Sequence, residues 1–339
     1  MGLSCCIAAK RESLKLGQLK NTTHIPMKLT NNNITEHIII NTDIPVWSII
    51  TIVYNEENVI VSGHINGEIQ IWSVITQISL FSLVGHEYCI RSLIPVQLSK
   101  DLSETFLASG STDDSIKIWS LKTRSCILTL NGHTRSVNTL ISLTLNNETI
   151  IISGSSDNTI KAWSLSNGGC FLTLEGHSNS INSIVAVEYN NENVIASAGA
   201  DKSIKIWSMI KKNCVLTLYG HSDFIWCIIS IVFDDENMIV SGSYKEIRVW
   251  SLSGGCCLFT LEGHTDDVRA LSSLTLNNET VLLSGSFDKT VKVWSLINET
   301  CILTLEGHTF GIWSIIPMVI NGETVIVSGS QDETIIIWK

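Results

Sequence analysis

The sequence predicts an all-β fold: seven copies of one four-stranded antiparallel sheet, set radially in a ring. Three observations lead there. A tryptophan recurs at 72, 119, 163, 207, 250, 294 and 338, at intervals of 43 to 47 residues. A Gly-His pair recurs at 85–86, 132–133, 176–177, 220–221, 263–264 and 307–308, and its spacing drifts with that of the tryptophans. Between the markers lie short apolar, β-prone runs divided by turn residues, with no helical period. Self-similarity at this spacing marks a repeat architecture.

One copy shows what a unit is. Residues 136–145 are apolar and β-prone, Asn146-Asn147-Glu148-Thr149 forms a turn, and residues 150–155 make a second strand. Ser156-Asp157-Asn158 turns the chain, residues 159–164 make a third strand, and Gly168-Gly169 leads into a fourth, Cys170 to Leu174. Runs such as Ile150-Ile151-Ile152 are apolar on both faces, so each sheet needs cover on both sides. Neighbouring copies supply it, and radial stacking of such sheets makes a seven-bladed β-propeller.

The units resemble WD40 repeats from about residue 34 onward. The matching signature is Gly-His, then Ser-Gly-Ser-x-Asp, then a tryptophan six residues after that aspartate. One departure is uniform. The residue after the tryptophan, aspartate in the name-giving dipeptide, is serine at 73, 120, 164, 208, 251 and 295. The resemblance implies a buried relay of four polar side chains per blade, here His133, Ser153, Asp157 and Trp163. The same positions give His86/Ser109/Asp113/Trp119, His177/Ser197/Asp201/Trp207, His264/Ser284/Asp288/Trp294 and His308/Ser328/Asp332/Trp338. The chemistry is coherent, because an indole N–H only donates, serine and imidazole pass a hydrogen bond on, and a carboxylate ends the chain. Blade five keeps His221, Ser241 and Trp250, but its turn, Tyr244-Lys245-Glu246, is one residue short and lacks the aspartate. Blade one has Ser62 and Trp72, with Thr42 in the histidine column and Asn66 in the aspartate column. Blades one and five are therefore expected to be the least rigid.

Taken in order, the chain opens with a flexible basic tail, residues 1–33, where Lys10, Arg11, Lys15, Lys20 and Lys28 outnumber Glu12. Met1-Gly2-Leu3-Ser4-Cys5-Cys6 approaches an N-myristoylation pattern, with Cys6 where serine or threonine is preferred. Gly2 is the candidate for myristate and Cys5 and Cys6 for palmitate; the alternative is a disordered leader that begins Met-Gly by coincidence. Residues 34–40 align with a fourth strand, which the last copy lacks after Trp338-Lys339. The N-terminal strand is thus expected to pair with the last blade, because an open ring would leave two bare sheet edges. Residues 34–339 then form one propeller, expected to be monomeric.

Blade two runs about three residues long between Pro95 and Phe106. Elsewhere the same turn is acidic: Asn55-Glu56-Glu57, Asn190-Asn191-Glu192, Asp234-Asp235-Glu236, Asn277-Asn278-Glu279 and Asn321-Gly322-Glu323. These turns share one face of the disc and make a negative rim, read either as a solubility device or as a docking surface for a basic partner.

Composition narrows the function. A net charge of −10 argues against nucleic acid. No stretch holds eighteen uninterrupted apolar residues, and the N-terminus has no secretory pattern. Of ten cysteines, Cys126, Cys170, Cys214, Cys257 and Cys301 occupy one column in five blades, too far apart to share an ion. They are expected to be buried free thiols in a reducing, cytoplasmic compartment. Membrane contact is expected only if the N-terminus is acylated. No metal, cofactor or catalytic residue is expected.

The columns that vary are the informative ones. The second position of the first strand reads Trp47, Arg91, Asn138, Asn182, Trp226, Arg269 and Trp313 and should line the channel mouth on the narrower face. The residue before the relay aspartate includes Tyr244 and Phe287, and Tyr88, Phe224 and Phe310 follow the Gly-His turns, near Asp223, Asp266 and Asp267. In WD40 proteins that face commonly receives peptides. The partner-binding candidates are Trp47, Arg91, Phe224, Trp226, Tyr244, Arg269, Phe287, Phe310 and Trp313. Aromatics are favoured interface anchors, and acidic neighbours suit a segment with basic residues; the alternative is that the large side chains plug the channel.

Three functions compete. With every repeated polar residue given a structural task, a non-catalytic protein-interaction scaffold ranks first. A substrate-recognition subunit of a ubiquitin ligase, or a Gβ-like signalling subunit acting with a separate adaptor, ranks second. A propeller hydrolase is remote, since Ser155-x-Asp157 only loosely matches an Asp-box and the six arginines are dispersed.

Overall fold

The computed structural model describes residues 37–98, 104–145, 148–276 and 279–339. The tail with Gly2, Cys5 and Cys6, the first residues of the expected closing strand and part of the blade-two insertion lie outside them. The described residues form twenty-seven strands, β1 to β27 in chain order, and no helix. The unit is as expected: β10 (Val137–Leu145), β11 (Glu148–Ser155), β12 (Ile160–Ser164) and β13 (Cys170–Leu174) pair in sequence order, all antiparallel. The acidic turns reverse the chain with two successive left-handed residues, as at Asn55 and Glu56 (φ 50° and 65°) and at Asn190 and Asn191 (φ 52° and 60°), the type I′ geometry that matches strand twist.

The N-terminal strand joins the last blade. β1 (His37–Asn41) pairs antiparallel with β27 (Thr334–Trp338), with Ile39 opposite Ile336, and completes the sheet of β25 (Ile312–Ile320) and β26 (Glu323–Ser330). Across the seam the contacts repeat those inside the ring. The Ser314 hydroxyl accepts the Ile49 N–H at 3.1 Å, as Ser92 accepts from Leu140 and Ser183 from Ile228. A Cβ at Gly329 would come within 2.7 Å of Val46, and one at Gly110 within 2.8 Å of Val137. Only glycine lets adjacent blades approach this closely.

Blades five and six depart from the pattern of separate sheets. The 21-residue β21 (Cys256–Leu276) is the outer strand of blade five and the inner strand of blade six, so the two form one seven-stranded sheet. The turn before β20 (Tyr244–Ser251) is one residue short, and Tyr244 at its start pairs opposite Asp267, where β21 runs on through Gly263-His264.

The core lies between blades. Trp119 is fully buried against Val59, Val61, Ile69 and Ile71 of blade one, and Trp163 packs against Ala108 and Ile118 of blade two. Each tryptophan thus fastens its blade to the preceding one; burying such a side chain contributes upwards of about 1.5–3 kcal/mol. Trp72 does the same at the seam, with Ile40 of β1 and Val325, Val327, Ile335 and Ile337 of blade seven.

One surface expectation needs correction. Cys126, Cys170 and Cys301 are exposed and Cys214 and Cys257 half-buried, because the outer strand of a blade has no neighbour beyond it; among the described residues the buried thiols are Cys89 and Cys227. In the acidic turns Glu57, Glu192 and Glu236, and in blade two Glu104, accept hydrogen bonds from the serines that follow the tryptophans. Ser73 donates to Glu57 at 2.6 Å, Ser120 to Glu104 at 2.6 Å, Ser208 to Glu192 at 2.5 Å and Ser251 to Glu236 at 2.6 Å. The Ser208 oxygen in turn accepts the Lys211 N–H at 2.9 Å. In blades one, two, four and five the serine in place of aspartate and a glutamate of the facing turn are therefore one structural device.

Candidate functional site

The loops that surround one mouth of the central channel are held by the relay. In blade three Trp163 Nε1–H donates to Ser153 Oγ at 2.8 Å, Ser153 lies 2.7 Å from His133 Nε2, and His133 Nδ1 lies 2.7 Å from Asp157. With the proton on Nδ1 facing the carboxylate, Nε2 accepts from serine and every link has one donor and one acceptor. Asp157 also accepts from Thr134 N–H at 3.1 Å and from the Thr159 hydroxyl at 2.6 Å, so one carboxylate fastens the Gly-His turn to the turn between second and third strands. Burial works against its charge, but the hydrogen bonds from Thr159 and His133 prevail and hold its pKa down at about 2. The relay of blade four, through His177, Ser197, Asp201 and Trp207, has the same links at 2.6–2.7 Å.

Blades one and five are not the incomplete relays that the alignment implies. In blade five Glu246 takes the aspartate's place, with Oε1 at 2.6 Å from His221 Nδ1. In blade one the histidine comes from the second strand: His64 Nε2 lies 2.7 Å from Ser62 Oγ, which accepts from Trp72 at 2.8 Å. Its Nδ1–H donates to the Ile44 carbonyl at 3.1 Å, so this relay ends on backbone. Thr42 contacts the Ile44 and Glu333 carbonyls and is no part of the relay.

All seven residues of the variable first-strand column line one cavity of about 80 Å³ in the channel: Trp47, Arg91, Asn138, Asn182, Trp226, Arg269 and Trp313. They alternate with the buried residue before each of them, such as Val46, Ile90 and Ile312, which faces the adjoining blade. Asn138 and Asn182 donate to the Ile181 and Ile225 carbonyls of the next blade at 2.8 and 2.9 Å. Opposite them stands a stack of aromatics and cations. Trp47 and Trp313 are parallel with centroids 3.8 Å apart, and the Arg91 guanidinium lies 4.7 Å from the Trp47 ring centre. The Arg269 guanidinium lies 3.4 Å from the Trp226 centroid and 4.1 Å from that of Phe287, which meets Trp313 edge-on at 4.9 Å. These tryptophan faces are thus already engaged by the chain's own arginines.

Outside the cavity, Phe310 (56% exposed), Tyr244 (45%) and Phe224 (38%) stand on the same mouth. Phe224 touches Trp226 edge-on at 5.8 Å, joining the exposed aromatics to the channel. The nearby carboxylates have local partners: Asp267 pairs with Arg269 at 3.0 Å, and Asp223 accepts from the Phe224 N–H at 2.7 Å. Among the described residues no group of three or more histidine, cysteine or acidic side chains is arranged to hold a metal ion.

A family model described as "WD domain, G-beta repeat" matches residues 77–120, 124–164, 168–208, 212–251, 255–295 and 299–339. No curated protein matches the chain.

Proposed function

The chain belongs to the WD domain, G-beta repeat family, whose repeats generally serve as protein-interaction scaffolds and are typically non-catalytic, and from this premise we propose that its own partners dock at the channel mouth beside Phe224, Tyr244 and Phe310. The observation that carries the reading is the cluster of large, exposed rings on loops fastened by the His221–Glu246 and His308–Asp332 links of the relay. Rigid aromatics lose little entropy on binding and supply much contact area. Charge is not what supports it, since Asp267 and Asp223 are engaged within the chain. The partner that fits this mouth is an extended peptide or loop laid across blades five to seven. Its compartment is the reducing cytoplasm, with a membrane tether where Gly2, Cys5 or Cys6 carries an acyl chain; intact-mass measurement of the N-terminal peptide tests that part.

Panning a displayed peptide library against wild type and a Phe224→Ala/Tyr244→Ala/Phe310→Ala variant tests the docking site. Wild type should enrich a peptide class that the variant, melting at the same temperature, fails to hold. Peptides binding both proteins equally well would place docking elsewhere.

A further inference from the structure

We propose that the central channel is a binding site for a small oxyanion, a phosphate or carboxylate, centred on Arg91. The side of the cavity formed by Trp47, Arg91, Arg269 and Trp313 is rich in donors that lack acceptors. The indole nitrogens Trp47 Nε1 and Trp313 Nε1 and the guanidinium nitrogen Arg269 Nε are buried with no hydrogen-bond partner in the protein. A buried N–H left unpaired costs about 1–3 kcal/mol, so these cavity-lining side chains gain by turning an N–H toward an acceptor in the channel. Each of these groups can donate only, and the charged oxygens of an oxyanion accept, which makes the match complementary.

Charge points the same way. Arg269 has Asp267 at 3.0 Å, but among the described residues no carboxylate pairs with Arg91. Its ring contacts, 4.7 Å to Trp47 and 5.5 Å to Trp313, position the guanidinium without neutralising it. Cys89 is no counter-ion, because burial pushes its thiol up to about 12. Arg269 is itself lowered to about 10, by burial first and partly by the Arg91 charge, so two cations face one confined space with a single carboxylate between them. The cavity of about 80 Å³ is several times the about 10–15 Å³ that one water needs, room for a phosphate or carboxylate group but not for a nucleotide. The planar guanidinium fork of Arg91 is suited to two-point contact with such a group.

The oxyanion could arrive as a free ion or as the acidic side chain of a bound segment, and two probes separate these sources. Inorganic phosphate and the capped tripeptide Gly-Asp-Gly, with capped Gly-Asn-Gly as control, are titrated at constant ionic strength. Tryptophan fluorescence and melting temperature are read together. Saturable binding of phosphate supports a free ion, and binding of the aspartyl but not the asparaginyl peptide supports a partner's carboxylate. Either binding should weaken at least about tenfold in Arg91→Gln, the loss of one charged hydrogen-bonding group. Arg91→Lys should lie between, and Arg124→Gln, which removes an arginine stacked on Phe81 instead, should bind as wild type. The inference is independent of the docking proposal, since phosphate binding does not need Phe224, Tyr244 or Phe310. Failure of both probes to saturate, or equal binding by wild type and a folded Arg91→Gln, would overturn it.

Discussion

Oε1 of Glu246 lies 2.6 Å from Nδ1 of His221, so a glutamate does in blade five what an aspartate does in blades two, three, four, six and seven. The turn that carries it is one residue shorter, and the extra methylene restores the reach. Its second oxygen meets Arg248 at 3.1 Å.

Shortening that side chain should therefore be as harmful as removing it. Glu246→Asp is expected to cost about 1–3 kcal/mol, the penalty for an unpaired buried group. Glu246→Gln keeps an acceptor within reach and should lose less. Thermal unfolding should rank wild type above Gln, and Gln above Asp and Ala. An Asp variant that melts with wild type would contradict the reach argument.

The pair Ser208–Glu192, 2.5 Å apart, explains why serine follows the tryptophan. Ser208→Asp, which restores the family's usual dipeptide, should destabilise by setting two carboxylates against each other, at a cost of about 1 kcal/mol or more. Adding Glu192→Gln should recover most of the loss. A double-mutant cycle reads this coupling directly; additive effects would show that the contact carries no energy.

Stability should fall as pH falls, in two stages. Burial lowers the pKa of His64, His133 and His221 below the ordinary value of about 6.5, so the stability they contribute is complete above that pH and is lost below it. Asp157, held at about 2 against an ordinary value of about 3.9, contributes stability that is complete above about pH 4 and lost as pH falls through about 2. Asp113, Asp201, Asp288 and Asp332 are depressed in the same direction. Melting temperatures should thus decline below about pH 6.5 and more steeply below pH 4. A maximum near pH 4 would contradict the assignment of neutral, Nδ1-protonated histidines.

The ring was legible because its constraints recur. Every blade must present an indole to the preceding sheet and a glycine where the next one approaches, so Trp163 and Gly110 declare themselves by spacing. The channel column was equally readable, since a strand alternates faces and Trp47, Arg91 and Trp313 share a register. What escaped were compensations made across a turn or along one strand. His64 lies two residues after Ser62, on the same face of β3 (Glu57–His64), a spacing that could have marked it as the relay histidine. Glu246 was hidden by a deletion that only the backbone geometry resolves. The stacking of arginines on the channel tryptophans could not be read at all, because it joins side chains from blades one, two, five, six and seven that no local pattern connects.

The buried face of β1 offers a further check. Ile40 is 1% exposed between blades one and seven, and Ile40→Asp would place a charge in that interface. Loss of soluble monomer is expected, on size-exclusion chromatography, from the exposed edge of β27. An Ile40→Asp protein that elutes and melts as wild type would show that this strand is dispensable.

Closure by β1 is what the channel, the relay-held mouth and the proposed sites all depend on. Amide hydrogen exchange tests it most directly. The amides of residues 38–41 should exchange in step with those of residues 335–337, as one cooperative sheet. Exchange of the β1 amides within seconds while β27 stays protected would contradict a closed ring.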